Sequence, residues 1–402
     1  MNTASNPLRL AIVADLLEER WPSMDLVAEM LFSQLTAGRR EFGLDVAMLR
    51  PSLGRQRHTV TATPGLERPF DRFLHRFWGY SMWLRARARW FDVFHVVDHS
   101  YAHLVHVLPA HKTVVTCHDV DAFLSIVQPE LTTSKMPSLL ARLVLSGMRK
   151  AAYVTCDSQA TYDDIRRYGL IPEERLVIVP NGTHPSFSEH PSKTSDEALA
   201  RMLEGRKDDV IELLHVGTTI PRKRIDVLLH VLAAVRAVRP DVRLLKAGGT
   251  FTGEQRELVR SLGLERSVVE LPFLGSDELA SLYRRAAMVL VTSDREGFGL
   301  PVAEAMACGT PVVATDLPVL REVGGSAAVY CPIGDIPAWR DVVLSLIQER
   351  RDPAARSNRR TMGLKQAGAF TWDKYAGAMA GIYARMATRQ EPVALNSRVM
   401  RV

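Results

Sequence analysis

The chain has 402 residues, 47% of them hydrophobic and 24% charged. That is more than one hydrophobic core organises, because single cores stop growing near ~250 to 300 residues, so two domains are expected and extensive disorder or a fibrous repeat is excluded. The net charge of +6 comes from scattered residues, mostly arginine, with no basic stripe interleaved with aromatics, so no nucleic-acid partner is expected.

The N-terminal MNTASNPLRLAIVAD lacks the charged start and long apolar run of a signal peptide, and no stretch of ~18 apolar residues follows. The expectation is a cytoplasmic protein that does not span a membrane. LRLAIVAD (8–15), FDVFHVVD (91–98), KTVVTCHD (112–119), AAYVTCDS (151–158) and RLVIVPNG (175–182) are short apolar runs ending in small or polar residues. Alternating with amphipathic segments, they predict strand, helix, strand units and a parallel sheet. Residues 183–200, THPSFSEHPSKTSDEALA, are rich in Pro, Ser and Thr and have linker composition. The pattern restarts with VIELLHVG (210–217), VRLLKAGG (242–249), SVVELPFLG (267–275), MVLVTS (288–293) and TPVVATD (310–316). The expected fold is α/β, with domains over 1–185 and 200–370. In doubly wound sheets ligands sit beyond the carboxyl ends of the strands, so two facing sheets would define a cleft. Cys117, Cys156, Cys308 and Cys331 have no paired spacing, which suits a reducing compartment and argues against zinc or a disulfide framework.

The strongest chemical signal is TSDREGFGLPVAEAMACGTPVV (292–313). A strand runs into Glu296, then the turn Gly297, Phe298, Gly299 and Leu300, then Pro301 opening a helix that ends at Gly309. The glycines let backbone N–H groups approach a ligand, and the helix N-terminus offers partial positive charge to a phosphate. Glu304 projects from that helix.

Glu296 and Glu304, separated by seven residues, resemble the paired-glutamate motif of glycosyltransferase family 4, retaining enzymes with the GT-B fold of two Rossmann-like domains facing across a cleft. The likeness extends through VPNGTHPSF (179–187), HVGTTIPRKRIDVLL (215–229), KAGGTF (246–251), REVGGSAAVYCP (321–332) and FTW (370–372). It implies transfer of a hexose from a nucleotide diphosphate sugar to a glycan or lipid-linked glycan, as in surface polysaccharide synthesis. It also implies that Glu304 holds the ribose hydroxyls and Glu296 the donor sugar, both as ionised acceptors. Gly217, Arg222 and Lys223 would cradle the diphosphate, where charge grows as the nucleotide leaves. Family members often carry arginine right after that glycine; here Thr218 stands there, which leaves Arg222 and Lys223 as the pair. TTIPRKR and EVGGSAA look like mannosyltransferase-like bacterial members, which points to GDP-mannose. His118, at a strand end, would touch the donor sugar, and Asp119, Ser158 and Asn181 are acceptor-side candidates. Ser158 as a helix N-cap and Asn181 in a turn explain two of these without a ligand. Residues 373–388 are expected to return to the N-terminal domain, and the tail from Gln390 to be disordered.

The loop after the first strand, ADLLEERWPSMD (14–25), departs from the family in having no glycine, with Trp21 and Pro22 instead. No metal and no cofactor is expected. The histidines at 95, 99, 103 and 106 start on a strand and need not share a face, and Asp119, Val120, Asp121 is too short a D-x-D match to imply a cation. Residues 71–91, DRFLHRFWGYSMWLRARARWF, mix aromatics with arginines. The favoured reading is a helix packing on the N-terminal sheet; the alternative is a peripheral membrane contact. Rival functions are a nucleotide-sugar epimerase of the same architecture and a non-catalytic sugar-nucleotide-binding protein.

Overall fold

A computed structural model describes residues 7–19, 21–51, 69–128, 135–203 and 210–388; the tail expected to be disordered lies outside them. The chain forms two compact units, one running to Asn181 and resuming at Trp372, the other spanning Gly182–Thr371.

In unit 1 six parallel strands, β1 (Leu8–Val13), β2 (Leu44–Leu49), β3 (Val93–Val96), β4 (Thr113–Cys117), β5 (Tyr153–Cys156) and β6 (Leu176–Ile178), lie in the order β2-β1-β3-β4-β5-β6. The apolar runs are continuous because both faces are covered. With side chains alternating across a strand, Leu10 and Ile12 of β1 join one core, while Ala11 and Val13 join the other. The first core receives the helix Pro22–Ala37 and, from the far end of the sequence, the helix Trp372–Thr388, whose Trp372, Tyr375, Met379, Ile382 and Tyr383 are all buried. A polar chain fastens this last helix: Tyr383 Oη lies 2.7 Å from His95 Nδ1, and His95 Nε2 lies 2.7 Å from Thr116 Oγ1. Burial depresses the His95 pKa to about 3, so the ring is neutral.

In unit 2 the strands β7 (Ile211–Val216), β8 (Val242–Ala247), β9 (Val268–Glu270), β10 (Met288–Val291), β11 (Val312–Thr315) and β12 (Val329–Cys331) lie in the parallel order β12-β11-β10-β7-β8-β9. In each sheet the order reverses once, between β1 and β3 and between β7 and β10, and those are the points where crevices open beyond the strand ends.

Residues 183–200 are not a linker. They belong to unit 2, where Lys193–Met202 is a helix with Leu199 buried. Arg284, on the helix Ser276–Arg285, donates to the Ser188 carbonyl at 3.2 Å and to Asp196 Oδ1 at 3.2 Å. Composition misleads here because a few apolar residues suffice to seat a short helix when an ion pair and backbone bonds hold its flanks. Thr183 pairs with Thr371 in an isolated parallel bridge at the two ends of unit 2.

Candidate active site

In unit 2 the site grows from the strand ends at the switch point. After β7 the chain passes Gly217 and makes a 3-10 turn, Pro221–Lys223, closed by Arg224 at φ +48°, the sole non-glycine residue with positive φ among those described. The turn is anchored from β10's side: Thr292 Oγ1 donates to the Lys223 carbonyl at 3.0 Å, and Asp294 N donates to the Arg222 carbonyl at 2.9 Å. This aims two cations at one carboxylate. Glu296 accepts from Lys223 Nζ at 2.5 Å, Arg222 Nη1 at 3.2 Å and Ser293 Oγ at 2.7 Å. Its side chain is 6% exposed. Burial alone would raise its pKa, but Lys223 and Arg222 outweigh burial and hold it below the usual range, so it is ionised.

Gly217 and Gly248 are back to back. A Cβ at Gly248 (φ +95°) would sit 2.8 Å from the Gly217 carbonyl oxygen, so the two loops meet only through glycine. Behind them Lys246, fully buried, donates to the Gly249 carbonyl. Burial lowers its pKa to about 8. Gly299, at φ +96°, starts the helix Leu300–Ala307, and a Cβ there would meet Leu320 Cδ2 at 2.7 Å. Phe298 is buried and stacks edge-on against Phe370 at 5.4 Å, so its side chain packs inside unit 2.

Glu304 departs from expectation. Its carboxyl is buried and accepts from Tyr283 Oη at 2.7 Å. Burial raises its pKa to about 7 despite that hydrogen bond, so it is only partly ionised at neutral pH.

In unit 1 the expected residues gather at the ends of β4, β5 and β6. His118 Nε2–H donates to the Val97 carbonyl at 2.8 Å, and Nδ1 faces Asp157 Oδ2 at 3.2 Å. Burial opposes charge on this ring, but Asp157 and Asp98 outweigh it and raise the pKa to about 9. Asn181 Nδ2 donates to Asp157 Oδ2 at 3.2 Å. Ser158 caps the helix Gln159–Arg167 by accepting from Thr161 N, and Asp119 Oδ1 accepts from Asp121 N at 3.0 Å in a local turn. Both therefore have a structural task.

Sequence reasoning missed Asp15, Asp98 and Asp157, which close β1, β3 and β5. Asp15 and Asp98 stand at the switch point of the unit 1 sheet. Burial and the neighbouring Asp98 push Asp15 far up, while His99 and His118 overcome burial to hold Asp98 at about 2. Asp15 holds the proton and Asp98 the charge. Oδ1 of Asp157 and Oδ1 of Asn181 are buried without a hydrogen-bond partner. The available signal was an aspartate at the end of three apolar runs. Tyr283 gave no signal, because it lies on the helix before β10, 21 residues from Glu304.

Comparisons with known proteins cover both units. The family model described as Glycosyl transferases group 1 matches residues 199–361, and that described as Glycosyltransferase Family 4 matches residues 29–187. A D-inositol 3-phosphate glycosyltransferase from Segniliparus rotundus is 28% identical over 332 residues, covering 77% of this chain and 67% of its own. Among solved structures, a sucrose-phosphate synthase from Thermosynechococcus elongatus superposes with TM-score 0.73 at 20% identity over 94% of this chain and 99% of its own. Anabaena HepE, in complex with UDP and glucose, superposes with TM-score 0.70 at 17% identity over the same shares.

Proposed function

The chain is a glycosyltransferase with the GT-B fold, and from that premise we propose that unit 2 binds the nucleotide diphosphate sugar and that a hexose passes from it to a hydroxyl-bearing acceptor. The observation that carries this reading is the grip of Arg222 and Lys223 on one buried, ionised Glu296 at the ends of β7 and β10. Two cations against one carboxylate leave a net positive charge to meet a diphosphate. The N-terminus of the helix Leu300–Ala307 adds partial positive charge nearby. Stabilising the departing phosphate there lowers the barrier directly. Glu304 takes the ribose hydroxyls, and Glu296 takes hydroxyls of the sugar.

The likeness to retaining family 4 supports transfer with retention. In that reaction the C1–O bond to the phosphate breaks as the acceptor oxygen bonds to C1 from the same face, and its proton passes to the departing phosphate. The unsatisfied oxygens of Asp157 and Asn181 support a polyhydroxylated acceptor such as a glycan or lipid-linked glycan, since buried polar groups call for partners. The relatives named for D-inositol 3-phosphate add that polyol to the acceptors to be tried. Anabaena HepE, solved with UDP and glucose, adds UDP-sugars to GDP-mannose among the donors to be tried.

A thermal-shift panel of UDP, GDP, ADP and dTDP with their sugar conjugates, each with and without EDTA, tests the reading. A ligand at ~100 times its Kd adds about 2.7 kcal/mol of stability. One nucleotide family raising Tm despite chelator is the expected result. No shift with any of them removes the donor site.

A further inference from the structure

The helical stretch after Asp71 in unit 1 is fastened on one side only. On its inner side Tyr80 Oη donates to the carbonyls of Ala14 at 2.7 Å and Leu49 at 2.8 Å, and Leu84 is fully buried. Arg76 donates to Glu19 at 2.9 Å and to the Ser100 carbonyl at 2.8 Å. The favoured sequence reading, a helix packed on the sheet, therefore describes that side.

The outer side is apolar and open. Leu74, Trp78 and Met82 recur at every fourth residue and are 44%, 73% and 58% exposed, which puts them on one helix face. Elsewhere in unit 1, Trp21 in the loop after β1 is 54% exposed. Of six tryptophans three are exposed, and all three fall within residues 21–90. Isolated exposed apolar residues need no explanation, but a contiguous group does.

Charge identifies the occupant. Arg85 follows Met82 by three residues, Arg89 follows it by seven, and both are exposed. Among the described residues neither pairs with a carboxylate. Tryptophan at the centre with arginine at the edge suits the boundary of a lipid bilayer, where indole sits among headgroups and guanidinium meets phosphate. Among the described residues no helix is long and apolar enough to cross a membrane, so the contact is lateral.

We propose that this face of unit 1 docks on an anionic lipid surface, with Trp78 and Met82 entering the headgroup layer and Arg85 and Arg89 on lipid phosphates. The proposal is independent of the donor site in unit 2. Cosedimentation with vesicles of phosphatidylcholine containing phosphatidylglycerol, and of phosphatidylcholine alone, tests it on the full chain. The wild type is expected to pellet with the anionic vesicles and much less with the neutral ones. Partitioning should fall on the order of tenfold in Trp78→Ser/Met82→Ser and in Arg85→Glu/Arg89→Glu, since each basic residue near an anionic surface contributes appreciably. Unchanged Tm and an unchanged nucleotide-induced shift in the variants show that fold and donor site are intact. No wild-type binding, or equal binding by all three proteins, overturns the proposal. So does a wild-type dimer that Trp78→Ser/Met82→Ser converts to monomer in light scattering without loss of vesicle binding, because the face then belongs to a second copy of the chain.

Discussion

Glu296 and Glu304 are the same residue type eight positions apart, and their surroundings give them opposite protonation behaviour. Glu296 is paired with contact cations and stays charged; Glu304 has only a phenol and stays partly protonated. Ribose hydroxyls are best accepted by the ionised form of Glu304, whose pKa is about 7. Nucleotide affinity should therefore rise with pH between about 6 and 8, measured by calorimetry across that range. Tyr283→Phe removes the hydrogen bond that opposes the upward shift, so the midpoint should move to higher pH; an unmoved profile would assign the titration to another group. Glu304→Ala should weaken nucleotide binding. Glu296→Gln keeps the shape but removes the charge, and should cut turnover on the order of a hundredfold while nucleotide diphosphate binding holds or tightens, because Arg222 and Lys223 lose their counter-charge. Wild-type turnover in that variant would sink its assignment.

At the scale of elements, the site depends on loops that side chains would obstruct. Gly248→Ala would place a Cβ against the Gly217 carbonyl and force a left-handed backbone, costing about 1–2 kcal/mol from conformation alone before any clash. Both Tm and nucleotide affinity should drop, whereas Gly253→Ala, at the start of the helix Gly253–Ser261 with nothing near the added methyl, should lower neither and raise Tm slightly; differential scanning fluorimetry with and without nucleotide distinguishes them. Much of this element was legible in sequence. Strand, glycine turn, proline and helix follow one another in 288–309, and each has a local physical cause. The burial of Phe298 against Phe370 was not legible, because its partner lies 72 positions away and belongs to a different element.

At the scale of the whole molecule, unit 1 is completed by the end of the chain. Truncation after Thr371 would bare Leu10 and Ile12 and orphan His95 Nδ1. The truncated chain should lose cooperative unfolding of unit 1 while unit 2 keeps its nucleotide-induced shift; limited proteolysis with and without nucleotide would read both, and a fully protease-resistant truncation product would refute the role of the helix. The sequence by itself determined what depends on local periodicity and turn chemistry: two parallel sheets, and the strand, glycine turn and helix that carry Glu296 and Glu304. Tertiary structure alone decided what depends on distant partners. It decided that 183–200 is part of unit 2, that Asp15 and Asp98 meet at a switch point, that Tyr283 reaches Glu304, and which side of the helix bearing Trp78 is left uncovered. Burial sets the charge of a carboxyl and the exposure of an indole, and burial is fixed by neighbours that a single stretch of sequence does not contain.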